Sequence, residues 1–221
     1  MRFVDAQDMF TFLAFSLVAT TICVDPGHPS EVGIGTRGKK LTEVAVCWKV
    51  ALELKKELEH DGYRVVLTKT AERQKVLNKK RAEIANTSGT AFFVRLHCDA
   101  GNGTGIETYF PDRQGRVGKM TGPSQDVIRA SEAAASKFHP AMIKALGGAL
   151  RDNGFHSDTK TLIGGKQGAL TGSIYSKVPV VLVEMVVLQN PKDEAFFLKA
   201  GGYQKMAKAL AAGVRAVVPP K

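Results

Sequence analysis

Two hydrophobic periods alternate along the chain. A β-branched run at 20–24 (TTICV) is stopped by Asp25-Pro26-Gly27, which reads as a buried strand entering a turn. Residues 29–40 carry too much Gly and polar side chain for anything but a loop. Thr42 then caps a helix whose apolar stripe is Cys47, Val50, Ala51, Leu54 and Leu58, ending at His60-Asp61-Gly62. Period-two alternation at 63–68 (YRVVLT) predicts a second strand, and 74–86 predicts a basic amphipathic helix. Strands follow at 91–96 (AFFVRL) and 105–110 (GIETYF), the latter closed by Pro111. Residues 124–152 are Ala-rich and helical, with an expected interruption near His139-Pro140, because proline removes an amide donor and disfavours helix at the residue before it. The stretch 155–177 is rich in Gly, Ser and Thr and reads as a functional loop. The most apolar strand is 179–188 (PVVLVEMVVL), bounded by Asn190-Pro191, and a last helix occupies about 201–216. Strands alternating with helices, apolar on both faces, predict an α/β fold: a single twisted, mostly parallel or mixed sheet of about five to six strands with helices on both faces.

The amino terminus supports two readings. No charged side chain occurs between Met9 and Val24, and 10–19 (FTFLAFSLVA) has the length of a signal-peptide core but is too short to span a membrane. Asp5 and Asp8 stand where a positive flank belongs, with Arg2 the one early base. Phe10, Leu13, Ala14, Leu17 and Val18 equally fit one face of a first helix. The chain therefore divides into an apolar segment at 1–20, signal remnant or helix, and a domain at 21–217.

Composition narrows the class of function. With 221 residues, 31 basic and 21 acidic, the net charge is +10, and 44% of residues are apolar. Such a chain buries a core without disulfides, so disorder, collagen and coiled coil are excluded. Cys23, Cys47 and Cys98 are odd in number and unfit for a zinc knuckle, and they read as small buried apolar residues. The basic charge leaves nucleic acid, anionic membrane and anionic wall polymer open as partners. None of the recognised nucleic-acid motifs or aromatic platforms occurs.

His28, His97 and Glu184 all fall at or near the carboxyl edge of predicted strands, where open α/β sheets place ligands. Glu43 lies in the first turn of a helix, where the dipole alone would account for it. An ionised carboxyl within VLVEMVV is costly to bury without a metal or a catalytic role. His60 and His139 read as structural, whereas His156 has a possible substrate contact. Lys39, Lys40, Arg73, Lys75, Lys79, Lys80 and Arg81 read as solvated faces.

Val24-Asp25-Pro26-Gly27-His28, the glutamate 15 positions later, Leu96-His97-Cys98-Asp99-Ala100, and Pro179–Glu184 with Asn190-Pro191 together resemble the catalytic domain of zinc-dependent N-acetylmuramoyl-L-alanine amidases over about Thr21 to Val217. The resemblance implies Zn²⁺ held by His28, Glu43 and His97, with Glu184 as catalytic acid/base. The bond cut would be that between the muramic acid lactyl group and L-alanine of peptidoglycan or muropeptides. Two imidazoles and one carboxylate leave a catalytic zinc a fourth position for water, which agrees with that role. The expected protein is extracytoplasmic and monomeric, without nucleic acid or stable membrane insertion, and is a bare catalytic domain. Pro29-Ser30, Cys47 and Cys98 depart from the family's usual glycines, asparagine and alanine. Strand alternation turns Cys98 away from the metal. A zinc peptidase, a silent glycan-binding protein and a nucleic-acid binder are the competing readings.

Overall fold

The computed structural model describes residues 19–220; both readings of the amino-terminal segment fall almost wholly outside them. Six strands form one sheet in the order β2-β1-β3-β8-β4-β7, with ranges Thr21–Pro26 (β1), Arg64–Leu67 (β2), Thr90–Asp99 (β3), Ile106–Phe110 (β4), Asp152–Ser157 (β7) and Val180–Val187 (β8). The pairs β1/β2, β1/β3 and β3/β8 are parallel, β4 runs antiparallel to β8, and β7 is parallel to β4. The sheet is thus mixed but mostly parallel, as the sequence predicts. A small hairpin, β5 (Gly115–Val117) with β6 (Met120–Gly122), has no counterpart in the predicted elements.

Helices α1 (Glu43–His60), α3 (Gln125–Leu146) and α7 (Gly202–Val217) cover one face, burying Ile22, Val24, Leu96, Val183 and Met185 of the sheet with Leu54, Phe138 and Leu210. Helix α2 (Asn78–Thr87) and the one-turn α5 (Thr171–Ile174) lie over the other, where Cys23, Phe93, Val180, Ala82 and Ala85 form a smaller core. A short α6 (Pro191–Leu198) follows β8, its Asn190 side chain accepting from the Lys192 amide.

Three expectations are corrected. Helix α3 runs without a break through Pro140. Its packing against α7 outweighs the lost hydrogen bond: Gly213 approaches so closely that a Cβ there would lie 2.7 Å from the Phe138 ring. His139 anchors the same turn, with Nδ1 sharing a hydrogen bond with Thr108 and Nε2 one with Asp152, so its structural role stands. The stretch at 155–177 is not a plain loop. It contains the end of β7, α4 (Leu162–Gln167) and α5. Thr161 caps α4 through the Gly164 amide, and buried Asp158 accepts from the Leu170 amide between the two helices.

Arg81, finally, is not on a solvated face. It is fully buried, with Nη1 on Asp25 at 2.6 Å and on the Pro26 carbonyl at 2.7 Å, Nη2 on the Pro29 carbonyl and Nε on that of Val76. Asp25 also accepts from Arg95 Nε at 2.9 Å and from the Thr68 hydroxyl. Burial alone would raise the Asp25 carboxyl, but Arg81 and then Arg95 hold it well below the usual carboxylate range. Removing one member of such a network leaves a buried charge short of its partner. Arg81→Leu should therefore lower the unfolding free energy by about 3–5 kcal/mol in a urea titration. A loss under about 1 kcal/mol would show that Arg95 alone suffices for Asp25.

Candidate metal centre and active site

The turn that leaves β1 carries His28, held at a positive φ of 50°. That conformation is uncommon for a side chain other than glycine and persists only where the surroundings impose it. Arg81 grips the carbonyls on either side. The buried Lys69 amine reaches the carbonyls of His28, Gly27 and Glu72, and burial lowers its pKa to about 8. Neither Lys69 nor the inward Arg81 was recognisable from sequence, because a basic residue in a polar stretch gives no sign of the backbone oxygens it will meet.

Glu43 opens α1, with Thr42 capping the helix through the Ala45 amide. Its carboxylate is held from three sides. Oε2 accepts from the Thr36 amide at 2.8 Å, and Oε1 accepts from the Cys98 amide at 3.1 Å and lies 2.9 Å from His97 Nδ1. His28 Nε2 stands 3.5 Å from the same Oε1. Ligand atoms of His28, Glu43 and His97 all fall within 4.8 Å of one another, a group able to hold a metal ion. Gly35 makes room for it: a Cβ there would lie 2.4 Å from Glu43 Oε2, and its φ of +79° disfavours any side chain. Burial raises the Glu43 carboxyl, yet the hydrogen bond from His97 and the charges of His97 and His28 bring it below its ordinary range. Burial also lowers His97, against the opposing pull of Glu43. A carboxylate between two imidazoles suits a divalent cation.

His97 lies within β3, not beyond its end as the predicted strand has it, because the ladder to β8 resumes after an irregularity with Asp99 opposite Val187. Glu184 is paired directly with His97 across β3 and β8, and with Glu107 across β8 and β4. The sheet register thus brings Glu184 beside the His/Glu/His group. A cavity of about 190 Å³ collects His28, His97, Glu184, Arg95, Leu182 and Asn78, and is walled by Val32, Thr161, Leu162, Ile163, Leu170 and Thr171. His97 Nε2 and Glu184 Oε2 are buried without a hydrogen-bond partner. Burial, then the charges of Glu43, Asp99 and Glu107, raises Glu184 well above the usual carboxylate range.

The cysteines behave as expected: all three are buried, and Cys98 joins the core on the α1 face beside Cys47. Burial raises both thiols. His156 lies away from the cavity, bonded through Nε2 to the Asn153 carbonyl and tilted against Tyr109. His60 is an exposed helix end. Among the described residues no helix is long and apolar enough to cross a membrane.

A carboxyl with a raised folded pKa adds stability that is fully present below its unfolded pKa and is lost as pH rises through the folded value. Glu184→Gln cannot ionise. In chelated protein it should therefore gain stability over the parent as pH rises from 4 to 8, with the gap closing at the acid end. Denaturant midpoints at the two pH values check this, and a constant gap would contradict it.

The comparisons with known proteins agree with this geometry. Residues 22–216 match the family model Amidase_3, N-acetylmuramoyl-L-alanine amidase. The sporulation-specific N-acetylmuramoyl-L-alanine amidase of Bacillus subtilis (strain 168) is 33% identical over 147 residues, covering 61% of this chain and 55% of that protein. The N-acetylmuramoyl-L-alanine amidase CwlM of Bacillus licheniformis is 30% identical over 167 residues, covering 69% of this chain and 63% of that protein. The chain thus spans less than two thirds of the length of either relative. Its fold is that of the catalytic domain of CwlV from Bacillus (Paenibacillus) polymyxa var. colistinus, with TM-score 0.72, 24% identity and coverage of 91% of this chain and 99% of that one. It is likewise that of apo Ami1 from Mycobacterium abscessus, with TM-score 0.74, 22% identity and coverage of 91% and 100%. With a family match over nearly its whole described length, the chain belongs to the N-acetylmuramoyl-L-alanine amidase family.

Proposed function

We propose that the protein is a zinc-dependent peptidoglycan hydrolase that cuts the amide between the lactyl group of N-acetylmuramic acid and L-alanine of the stem peptide. The observation that carries this reading is the pairing of Glu184 with His97 across β3 and β8, which sets a carboxyl with an unpartnered oxygen beside a His/Glu/His group whose two histidines share its cavity. His28, Glu43 and His97 would hold the ion. When bound, zinc would polarise the scissile carbonyl and acidify an attacking water.

The rest is the work of the chain's own groups. Glu184 takes a proton from the water at its carboxylate and returns it to the departing amine nitrogen, a transfer suited to a carboxyl with a raised pKa. The amides of Thr36 and Cys98 fix Glu43, so that its orientation needs no adjustment during turnover. Lys69 and Arg81 hold the His28 turn. Thr161, Leu162 and Ile163 form the wall that receives the stem peptide, the role expected for the 155–177 stretch. The catalytic unit is 21–217, and its substrate places its action outside the cytoplasm.

Metal analysis should find one zinc per chain, lost with activity on chelation, and His97→Ala should lose both. An active, metal-free preparation would reject the metal role. Glu184→Gln should retain zinc but lose roughly two to four orders of magnitude in kcat. Digested sacculi should release stem peptides with a new L-alanine amino terminus and leave glycan strands intact. New reducing ends, or cut cross-links with the muramoyl bond preserved, would overturn the assignment. Leu162 is 74% exposed and so dispensable to the core. Leu162→Ala should therefore raise KM without changing zinc content or thermal midpoint, and an unchanged KM would remove this wall from the binding site.

A further inference from the structure

The cavity has a floor that the four functional residues do not explain. Arg95 lies two residues before His97 on β3, hence on the same face of the strand, and lines the cavity with Glu184, Leu182 and Thr171. Its guanidinium is fixed on three sides. Nε donates to Asp25, Nη2 donates to Asn78 Oδ1, and Gly172 of α5 packs on the third corner, where a Cβ would lie 2.3 Å from Nη1. Nη1 donates to no protein acceptor among the described residues. Unlike His97 Nε2 and Glu184 Oε2, it is not among the polar atoms sealed from solvent.

Asp25 is shared by Arg81 and Arg95, so neither guanidinium has that carboxylate to itself. Burial raises the nearby Asp158 carboxyl to about 6, with Arg95 drawing it back; Oδ2 accepts from the Leu170 amide and Oδ1 is buried without a partner. A rigid guanidinium with an unused N–H is the donor that recognises a carboxylate.

Spacing identifies which carboxylate. A strand rises about 3.3 Å per residue, so Arg95 lies roughly 6–7 Å along β3 from His97. An extended peptide advances about 3.3–3.6 Å per residue, so a carboxylate on the residue after L-alanine is about the same distance from the scissile nitrogen. We infer that Arg95 is a specificity residue which binds the free α-carboxylate of the second stem-peptide residue, a glutamate joined onward through its side-chain carboxyl. The inference rests on the amidase reading above.

The test compares two ligands that differ only in this group: L-alanyl-γ-D-glutamate peptide with its α-carboxylate free, and the same peptide with the α-carboxamide. Zinc-loaded protein should bind the acid roughly 10- to 100-fold more tightly, the range expected for one hydrogen bond to a charged group. The corresponding muramoyl substrates should differ by the same factor in kcat/KM, chiefly through KM. Arg95→Gln should abolish the preference for the acid over the amide. Gly172→Ala, whose Cβ would press on Nη1 and also on the Nε that serves Asp25, should reduce it as well, and the comparison of acid with amide on the parent protein judges the proposal even if both variants fail to fold. Equal binding of acid and amide by the parent protein would overturn the proposal, as would a preference that survives both substitutions. Failure to cleave either substrate would reject the amidase reading instead, while the peptide affinities would still judge Arg95.

Discussion

One buried carboxylate organises this molecule. Asp25, next to last in β1, accepts from Arg81 of α2, Arg95 of β3 and Thr68 just beyond β2, so that three elements and the turn after β2 meet at a single pair of oxygens. Buried ion pairs seldom add net stability over an apolar core, because desolvation offsets their attraction. Their use here is geometric. Arg81 spends its remaining N–H groups on the carbonyls of Pro26, Pro29 and Val76, and thereby fixes the turn that presents His28. Without that clamp a histidine at positive φ would relax, and the His28/Glu43/His97 group would lose one of its three members.

The same site holds groups that stability alone would not select. Glu184 and His97 each keep a buried polar atom without a partner, in a structure where most such atoms are satisfied. The sheet makes this tolerable. Both side chains are set by the ladder between β3 and β8, where Phe93, Val94, Leu96, Val180, Val181 and Val183 are buried, so neither can turn away to find water. Rigid strands impose the exposed chemistry, and the surrounding core bears the cost.

Much of this was legible in the sequence, for identifiable reasons. The strands that carry His28, His97 and Glu184 announce themselves because they are apolar on both faces and end in abrupt polar motifs. Glu43 was readable only through the motif spacing, since a carboxylate in a first helical turn has an ordinary explanation. What escaped notice depends on contacts between distant parts of the chain. Pro140 argued for a break that the α3/α7 interface overrides. Arg81 sits in a run of surface lysines, and only its position one turn into α2 carries it inward to Asp25. The helices α4 and α5 are too short to produce a period, and depend on a threonine cap and on the buried Asp158 carboxylate.

The sheet order sets when the enzyme can exist. Strand β8 arrives last in the chain yet lies between β3 and β4, so the sheet remains split until nearly the whole polypeptide is available. Positions 28, 97 and 184 meet in the cavity, with Glu43 against the two histidines, and Glu184 travels on that inserted strand. A nascent or stalled chain ending before β8 has neither a continuous sheet nor Glu184. On the amidase reading proposed above, completion of synthesis is a precondition for activity: no chain that ends before β8 can hold Glu184 beside His97.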